Sequence, residues 1–351
     1  MSSAPPIQTA VIGLGKMGVM HAAMISSIPN MALAALVDLN PATGAQTQSI
    51  GPQAPFYSSI TELFEKTAHL DAVVISTPQF THRETGIACL EHGLHVFLEK
   101  PLAHNLADAK KLADAAQQHP EQVTAVGFMK GHYPLWIEAA RRLQAGYIGE
   151  PRRYRAAVYF SQVLSPKNGW TFTKELSGGG ILINSGVHLL HFLNMLFGQG
   201  TSVTARSTPL HSKVEDTLAA LIEYPSGLFG SYDASWSLPG HQTESTCVLV
   251  EGSEGIMEIT DDWLRVYHIN GKEGVAKGWT KTHRGEFDHA KFNLSPDYGG
   301  EGYYNQLEDF ALAIREKRPA RYDWQTGLQI QQLTDAIYRS TETKQVVSVE
   351  N

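Results

Sequence analysis

Cysteine is scarce in this chain: Cys89 and Cys247 are the two among 351 residues. They stand far apart, so no disulfide framework is expected, and a reducing, cytoplasmic setting is. Basic charge is also in deficit, with 28 Lys and Arg against 35 Asp and Glu and a formal net charge of −7. A protein that neutralises nucleic-acid phosphates needs a basic stripe. The densest basic cluster here, Arg152-Arg153-Tyr154-Arg155, reads instead as the flank of a strand. Nucleic acid is therefore not an expected partner. No apolar run approaches the ~20 residues that span a bilayer. The opening residues, Met1 to Pro6, show neither the basic nor the apolar part of a secretion signal. Neither membrane nor export is expected. Internal repeats and low-complexity tracts are missing too. Hydrophobic residues make up 42% and charged ones 18%, enough for ordinary cores, and the length favours two domains.

What is present is organised around Ala10-Val-Ile-Gly-Leu-Gly-Lys-Met-Gly18. The apolar run Ile7–Ile12 reads as a buried strand and breaks into glycines at the G-x-G-x-x-G spacing. A helical pattern follows (Met17, Met20, His21, Met24, Ile25). Gly13 permits a tight turn, Gly15 lets backbone approach a pyrophosphate, and Gly18 lets the helix pack close to the strand. Leu14, Lys16 and Met17 complete the loop, whose helix N-terminus offers N–H groups and partial positive charge to phosphate. A second apolar run ends in Val37-Asp38, placing an acid about 20 residues beyond the last glycine, where a ribose-binding carboxylate belongs. The cofactor expected is NAD: Asp38 repels a 2′-phosphate and no arginine follows it directly, although Lys16 leaves NADP open as a second cofactor.

Short apolar runs alternate with helical patterns as far as Val126, as a doubly wound parallel sheet requires. The runs are Ile7–Ile12, Ala32–Val37, Ala54–Tyr57, Ala72–Ser76, His95–Leu98 and Val123–Val126. Ser59 with Glu62 forms a capping-box pattern, Gly93 closes the helix from Phe80 to His92, and Leu106 to Gln118 stops before Pro120. Two strand ends aimed at the cofactor crevice carry unusual residues. One is Ser76-Thr77-Pro78 with His82 a turn later; the other is Glu99-Lys100-Pro101, a carboxylate and an ammonium closing a core strand.

With Gly178-Gly-Gly180 and His188 added, these motifs make the chain resemble the glucose–fructose oxidoreductase / inositol dehydrogenase / MocA family, a likeness that runs down to the segment 327–347. The resemblance implies an NAD(P)-dependent oxidoreductase in which Lys100 touches the reacting oxygen and the Lys100–Pro101 bond is cis. Thr77, Pro78, His82 and Glu99 then line the nicotinamide side. Gln79 stands where the family more often has asparagine. His188 corresponds to the family's proton carrier. Its usual companion four residues earlier is aspartate, and here it is Asn184, as in some relatives acting on sugar nucleotides. A carboxylate beside His188 would favour the imidazolium, whereas an amide only fixes the tautomer.

The division into domains is expected after residue 128, with a dinucleotide-binding domain at 1–128 and an α+β domain at 129–351. A helix carrying Leu135, Ala139 and Leu143 opens the second. Seven strands then run from Tyr154 to His268 on short turns, so the second sheet is large, open and mostly antiparallel. One face is left free, and a homo-oligomer, dimer or tetramer, is expected to form through it. The three glycines 178–180 allow close approach to a ligand or to the first domain. The helical pattern after them puts Asn184 and His188 on one face. His191, three beyond His188, invites a metal reading, but no third ligand stands at a suitable spacing, and a packing role is preferred. Tyr159, Trp170, His241 and Tyr303 are aromatics placed to line a sugar-sized pocket; a core role for Trp170 fits equally. The span from about 270 to 302 reads as a mobile loop, and two helices and a last short strand close the chain.

The function expected is hydride transfer between NAD and a secondary alcohol or ketone of a sugar, cyclic polyol or related derivative. Lys100, His188 and Asn184 are the catalytic set. Two alternatives stay open from sequence: NAD-dependent glycoside hydrolysis through transient oxidation, and a non-catalytic dinucleotide sensor.

Overall fold

The computed structural model describes residues 5–47, 54–287 and 300–350. These form two compact units, divided between Met129 and Lys130 and again between Leu328 and Gln329. The first division lies one residue from the position expected. The second assigns residues 300–328 to the first unit rather than to the second domain.

The first unit alternates strand and helix: β1 (Ile7–Ile12), α1 (Lys16–Ile25), β2 (Met31–Val37), α2 (Pro41–Thr47), β3 (Phe56–Tyr57), α3 (Ile60–Lys66), β4 (Ala72–Ile75), α4 (His82–Glu91), β5 (His95–Leu98), α5 (Leu106–Gln118) and β6 (Thr124–Val126). Among the described residues the sheet has six parallel strands in the order β3-β2-β1-β4-β5-β6. That order reverses between β1 and β4, so ligands belong beyond the carboxyl ends of these strands. Val73, Val74, Ile75, Val96 and Leu98 are fully buried, as a sheet covered on both faces demands, each contributing about 2 kcal/mol by leaving water. Ser59 caps α3 through Glu62 N, but the reciprocal bond shifts by one residue: Glu62 accepts from Ser58 N and Oγ.

The second unit contains α6 (Pro134–Gln144), β7 (Pro151–Tyr159), α7 (Lys174–Ser177), α8 (Val187–Phe197), β8 (Ser202–Thr208), β9 (Thr217–Glu223), β10 (Phe229–Ser235), β11 (Ser245–Gly252), β12 (Gly255–Thr260), β13 (Trp263–His268) and β14 (Gly278–His283). Near the end of the chain come α9 (Gly300–Glu316), α10 (Trp324–Thr343) and β15 (Val347–Ser348). Among the described residues the second sheet has nine strands, in the order β14-β13-β12-β11-β7-β10-β9-β8-β15. All its pairs are antiparallel except β7 with β10. Burial alternates along these strands, with Leu218, Ala220 and Ile222 inside and Ala219, Leu221 and Glu223 outside on β9. Leu221, Phe229, Trp263 and Trp279 remain exposed on the outer face.

Three expectations need correction. Strand β14 occupies part of the span read as a mobile loop. Its residues are half-buried or exposed on both sides, so no apolar alternation marks it; the remainder of that span at 288–299 lies outside the described residues. The helix read from Ile181 onward is not regular: Leu182–Gly186 forms a π-turn before α8 begins. Finally, one helical stretch, Lys174–Phe197, is long and apolar enough to cross a membrane by length and composition, contrary to expectation. Its hydrophobic window is 72% buried within the protein, as suits a core helix.

The C-terminal helices explain the second division. On α9, Phe310 meets Phe97 of β5 edge-on at 5.9 Å. At the start of α10, Trp324 is fully buried and its indole N–H donates to Ala125 O at 3.2 Å. Beyond Leu328 the same helix belongs to the second unit.

Candidate active site

At the carboxyl end of β1 the chain turns through Gly13, whose φ of +89° is left-handed and suits glycine alone among common residues. A Cβ on Gly13 would lie 2.7 Å from Thr77 N, and one on Gly18 would lie 1.8 Å from Gly13 O. Both glycines are therefore required by the protein itself. Gly15 differs: a Cβ there meets nothing within 4 Å among the described residues, so its face is open for a ligand. It is also the N-cap of α1, and no side chain caps that terminus. Asp38 follows β2, accepting Leu14 N–H at 2.7 Å on Oδ2 and Asn40 N–H at 2.8 Å on Oδ1. Its neighbour Leu39 is 86% exposed. Beyond β4, Ser76 Oγ is buried with no hydrogen-bond partner among the described residues. An open glycine face, an uncapped helix N-terminus, a carboxylate pinned to the loop and an unsatisfied hydroxyl fit a dinucleotide.

The end of β5 carries the second group. Glu99 is 7% exposed and its Oε1 lies 2.7 Å from Nε2 of fully buried His21. Its Oε2 accepts the Lys100 N–H at 3.1 Å. Burial alone would raise the Glu99 pKa. The His21 hydrogen bond and the charges of His21 and Lys100 outweigh it and hold the carboxyl below its ordinary value. Gly127 gives this carboxylate room, since a Cβ there would sit 3.1 Å from it. The Lys100–Pro101 peptide is cis, as the resemblance implied. His82 is buried, with Nδ1 3.1 Å from Pro101 O and Nε2 3.0 Å from Thr77 O. Burial lowers its pKa against the pull of those carbonyls. Glu99 and His82 thus hold the Thr77 and Lys100 segments in place.

In the second unit, Asn184 stands on the π-turn and His188 on the first turn of α8, where it is 6% exposed. Asn184 donates from both its backbone N and its side-chain Nδ2 to Gly180 O, at 3.1 and 3.0 Å. The i, i+4 relation expected of a regular helix therefore runs through a wider turn, a form common at functional sites. His191 is buried at 1% exposure, and no metal-binding cluster of His, Cys, Asp or Glu occurs among the described residues. Tyr159 ends β7 with its ring 5.6 Å from that of His241, while Trp170 is 39% exposed on a short turn. Tyr303 belongs to the first unit, not with these three. It is buried on α9 with its ring against His21 at 6.4 Å.

The glycines 178–180 also have a different reason from the one expected. Gly178 closes α7 with φ +76°. A Cβ on Gly179 would lie 1.9 Å from the Tyr338 hydroxyl, and one on Gly180 would lie 2.0 Å from Glu215 O. The close approach is to residues of the same unit. Glu215, Tyr338 and His21 were not singled out from sequence, because each acquires meaning only from a partner distant in the chain.

Two family matches cover most of the chain. Residues 7–128 match the oxidoreductase family with an NAD-binding Rossmann fold, and residues 136–258 match the GFO/IDH/MocA C-terminal domain. The scyllo-inositol 2-dehydrogenase (NAD(+)) of Bacillus subtilis (strain 168) is 29% identical over 323 residues, 88% of this chain and 86% of that protein. A levoglucosan dehydrogenase solved in complex with NADH shares the fold, with a TM-score of 0.89 and 23% identity over 99% of this chain and 100% of that one. An NAD-binding oxidoreductase from Klebsiella pneumoniae superimposes with a TM-score of 0.86 at 25% identity, covering 99% and 100% of the two chains.

Proposed function

The chain belongs to the GFO/IDH/MocA family of oxidoreductases, and on that premise we propose that it transfers a hydride between NAD and a secondary alcohol or ketone of a sugar or cyclic polyol. The observation that carries the cofactor is the open face of Gly15 beside an Asp38 already fastened to the glycine loop. Support for the substrate class comes from relatives named for inositol and levoglucosan. Both relatives are named as dehydrogenases, which gives no support to the glycoside-hydrolase reading.

When bound, the nicotinamide supplies or accepts the hydride. Gly13, Leu14, Gly15, Lys16, Met17 and Gly18 would hold the pyrophosphate, and Asp38 the adenosine ribose. Ser76, Thr77 and Pro78 would flank the nicotinamide. Lys100 donates a hydrogen bond to the reacting oxygen and stabilises the charge that develops on it. His188 takes the hydroxyl proton during oxidation and returns it during reduction. Asn184 orients a substrate hydroxyl or the imidazole, with Tyr159 and Trp170 as further substrate contacts. A second copy of the chain is proposed to cover the outer sheet face through Leu221, Phe229, Trp263 and Trp279, and a cytoplasmic site fits the unpaired Cys89 and Cys247.

The test is NADH absorbance during incubation with NAD and a panel of polyols, sugars, sugar acids and nucleotide sugars. Turnover of at least one polyol or sugar, abolished by Lys100→Ala and His188→Ala, is expected. NADH binding without turnover of any panel member would overturn the proposal in favour of a sensor. Release from aryl glycosides with no net NADH would instead favour hydrolysis.

A further inference from the structure

The turn that carries Asn184 rests on a buried carboxylate that the proposed reaction does not use. Glu215 is 9% exposed and precedes β9. Its Oε2 accepts the Gly180 N–H at 2.8 Å, and its Oε1 accepts the Leu182 N–H at 3.1 Å and the Tyr338 hydroxyl at 2.8 Å. Its own backbone carbonyl accepts the Ile181 N–H at 3.0 Å. Three consecutive residues leading into the turn, Gly180, Ile181 and Leu182, are thus fixed to one side chain and its backbone.

Glycine geometry confirms how closely this region is fitted. Side chains at Gly179, Gly180 and Gly186 would strike Tyr338 Oη at 1.9 Å, Glu215 O at 2.0 Å and Tyr232 Oη at 2.3 Å. The chemistry also calls for a carboxylate. Three donors converge, and a carboxylate offers two oxygens with lone pairs for all of them. Glutamine would offer one oxygen and aim an NH2 group at a donor. The amides held are those at the start of a helical stretch, where backbone N–H groups need acceptors and negative charge is favoured.

We propose that Glu215, supported by Tyr338, is a positioning residue for the reaction: it sets the turn that presents Asn184 and begins the helix bearing His188. The path is explicit. Glu215 holds Gly180 N, Gly180 O receives both Asn184 donors, and His188 follows four residues on. This inference rests on His188 acting in proton transfer, as proposed above.

The experiment compares wild type, Glu215→Gln, Tyr338→Phe and His188→Ala. The readouts are NADH affinity by fluorescence, amide hydrogen exchange over 178–188, and kcat with its primary deuterium isotope effect. The substrate is the fastest of scyllo-inositol and levoglucosan. For Glu215→Gln, kcat falls roughly 10- to 100-fold, as for small misplacements of catalytic groups. Its NADH affinity stays within about twofold, its isotope effect rises, and exchange over 180–188 accelerates. Tyr338→Phe lowers kcat and speeds exchange by about threefold, one hydrogen bond's worth, with NADH affinity unchanged. Glu215→Gln with wild-type kcat and exchange overturns the proposal, since a merely stabilising residue lowers only the melting temperature. If Glu215→Gln does not fold, Tyr338→Phe decides on the same criteria. If neither substrate turns over, the fastest member of the panel above takes their place, and unchanged exchange over 180–188 in Glu215→Gln overturns the proposal whatever the substrate. A fully active His188→Ala sinks the underlying assignment instead, whatever the Glu215 result.

Discussion

The carboxylate of Glu99 and the imidazole of His21 face each other at 2.7 Å inside the first unit, joining the strand end before Lys100 to the helix behind the glycine loop. His21→Leu leaves Oε1 of that buried carboxylate without its partner, which costs about 3 kcal/mol at pH 7. The sign with pH follows. In wild type the Glu99 pKa is depressed, so its contribution is present above the unfolded value of about 4.3 and is lost as pH falls through the lower folded value. In the mutant the carboxyl resists ionisation, so the penalty shrinks as pH falls towards that range. Urea titrations of both proteins at neutral and acidic pH check this; a pH-independent penalty counts against the pair.

Cofactor choice centres on Asp38 and exposed Leu39. Replacing Leu39 by Arg in an Asp38→Ser background removes the repelling charge and adds a phosphate partner. The ratio of NADP to NAD affinity should rise by about tenfold or more, as one charge-assisted contact warrants. Because Asp38 also receives Leu14 N–H, this variant loses about 1 kcal/mol of stability. Fluorescence titration with both cofactors, alongside thermal melts, reads both effects.

His82 faces two backbone carbonyls from a buried position. His82→Phe leaves at least one of them without a donor and costs about 2 kcal/mol. NADH affinity should fall with it, because Thr77 loses its tether. Unchanged affinity in a folded His82→Phe protein would show that the tether does not reach the cofactor.

Asn184→Asp tests the proton carrier. A carboxylate near His188 favours the imidazolium, so the acid limb of kcat in the oxidation direction moves to higher pH. The same change removes the amide donor to Gly180 O and lowers stability by about 1 kcal/mol. A stability loss with an unmoved limb argues that residues 184 and 188 do not communicate.

The outer face of the second sheet offers a direct test of association. Phe229→Lys with Trp279→Lys places two charges among exposed apolar side chains. Light scattering should show a shift to a smaller species, since charges at the centre of such an interface are disfavoured. A wild-type protein that is already a monomer at micromolar concentration refutes the proposed assembly.

Much of this was legible because some signals are local. Gly13, Gly15, Gly18 and Asp38 lie within one strand–helix–strand unit, so their spacing alone carried the reading. The run that ends in β6 and the capped start of α3 were similarly local. Strand β14 was missed because neither of its faces is well buried, which removes the alternation that betrays a strand. The π-turn was missed because the apolar residues around Asn184 satisfy a regular helical period equally well. Glu215 was overlooked for a third reason: an isolated acid before a strand is ordinary until its partners at 180, 182 and 338 are known. The glycines 178–180 were recognised as sites of close approach, but what approaches them is the protein's own Glu215 and Tyr338.

The late arrival of α9 has a consequence for biosynthesis. All the strands of the first sheet have been made by Val126, yet Phe310 and Tyr303, which cover Phe97 and His21, are translated only after the intervening second unit. A nascent chain halted near residue 287 would therefore display an uncovered apolar patch beside β5, a natural foothold for a chaperone until the ribosome delivers the missing helix.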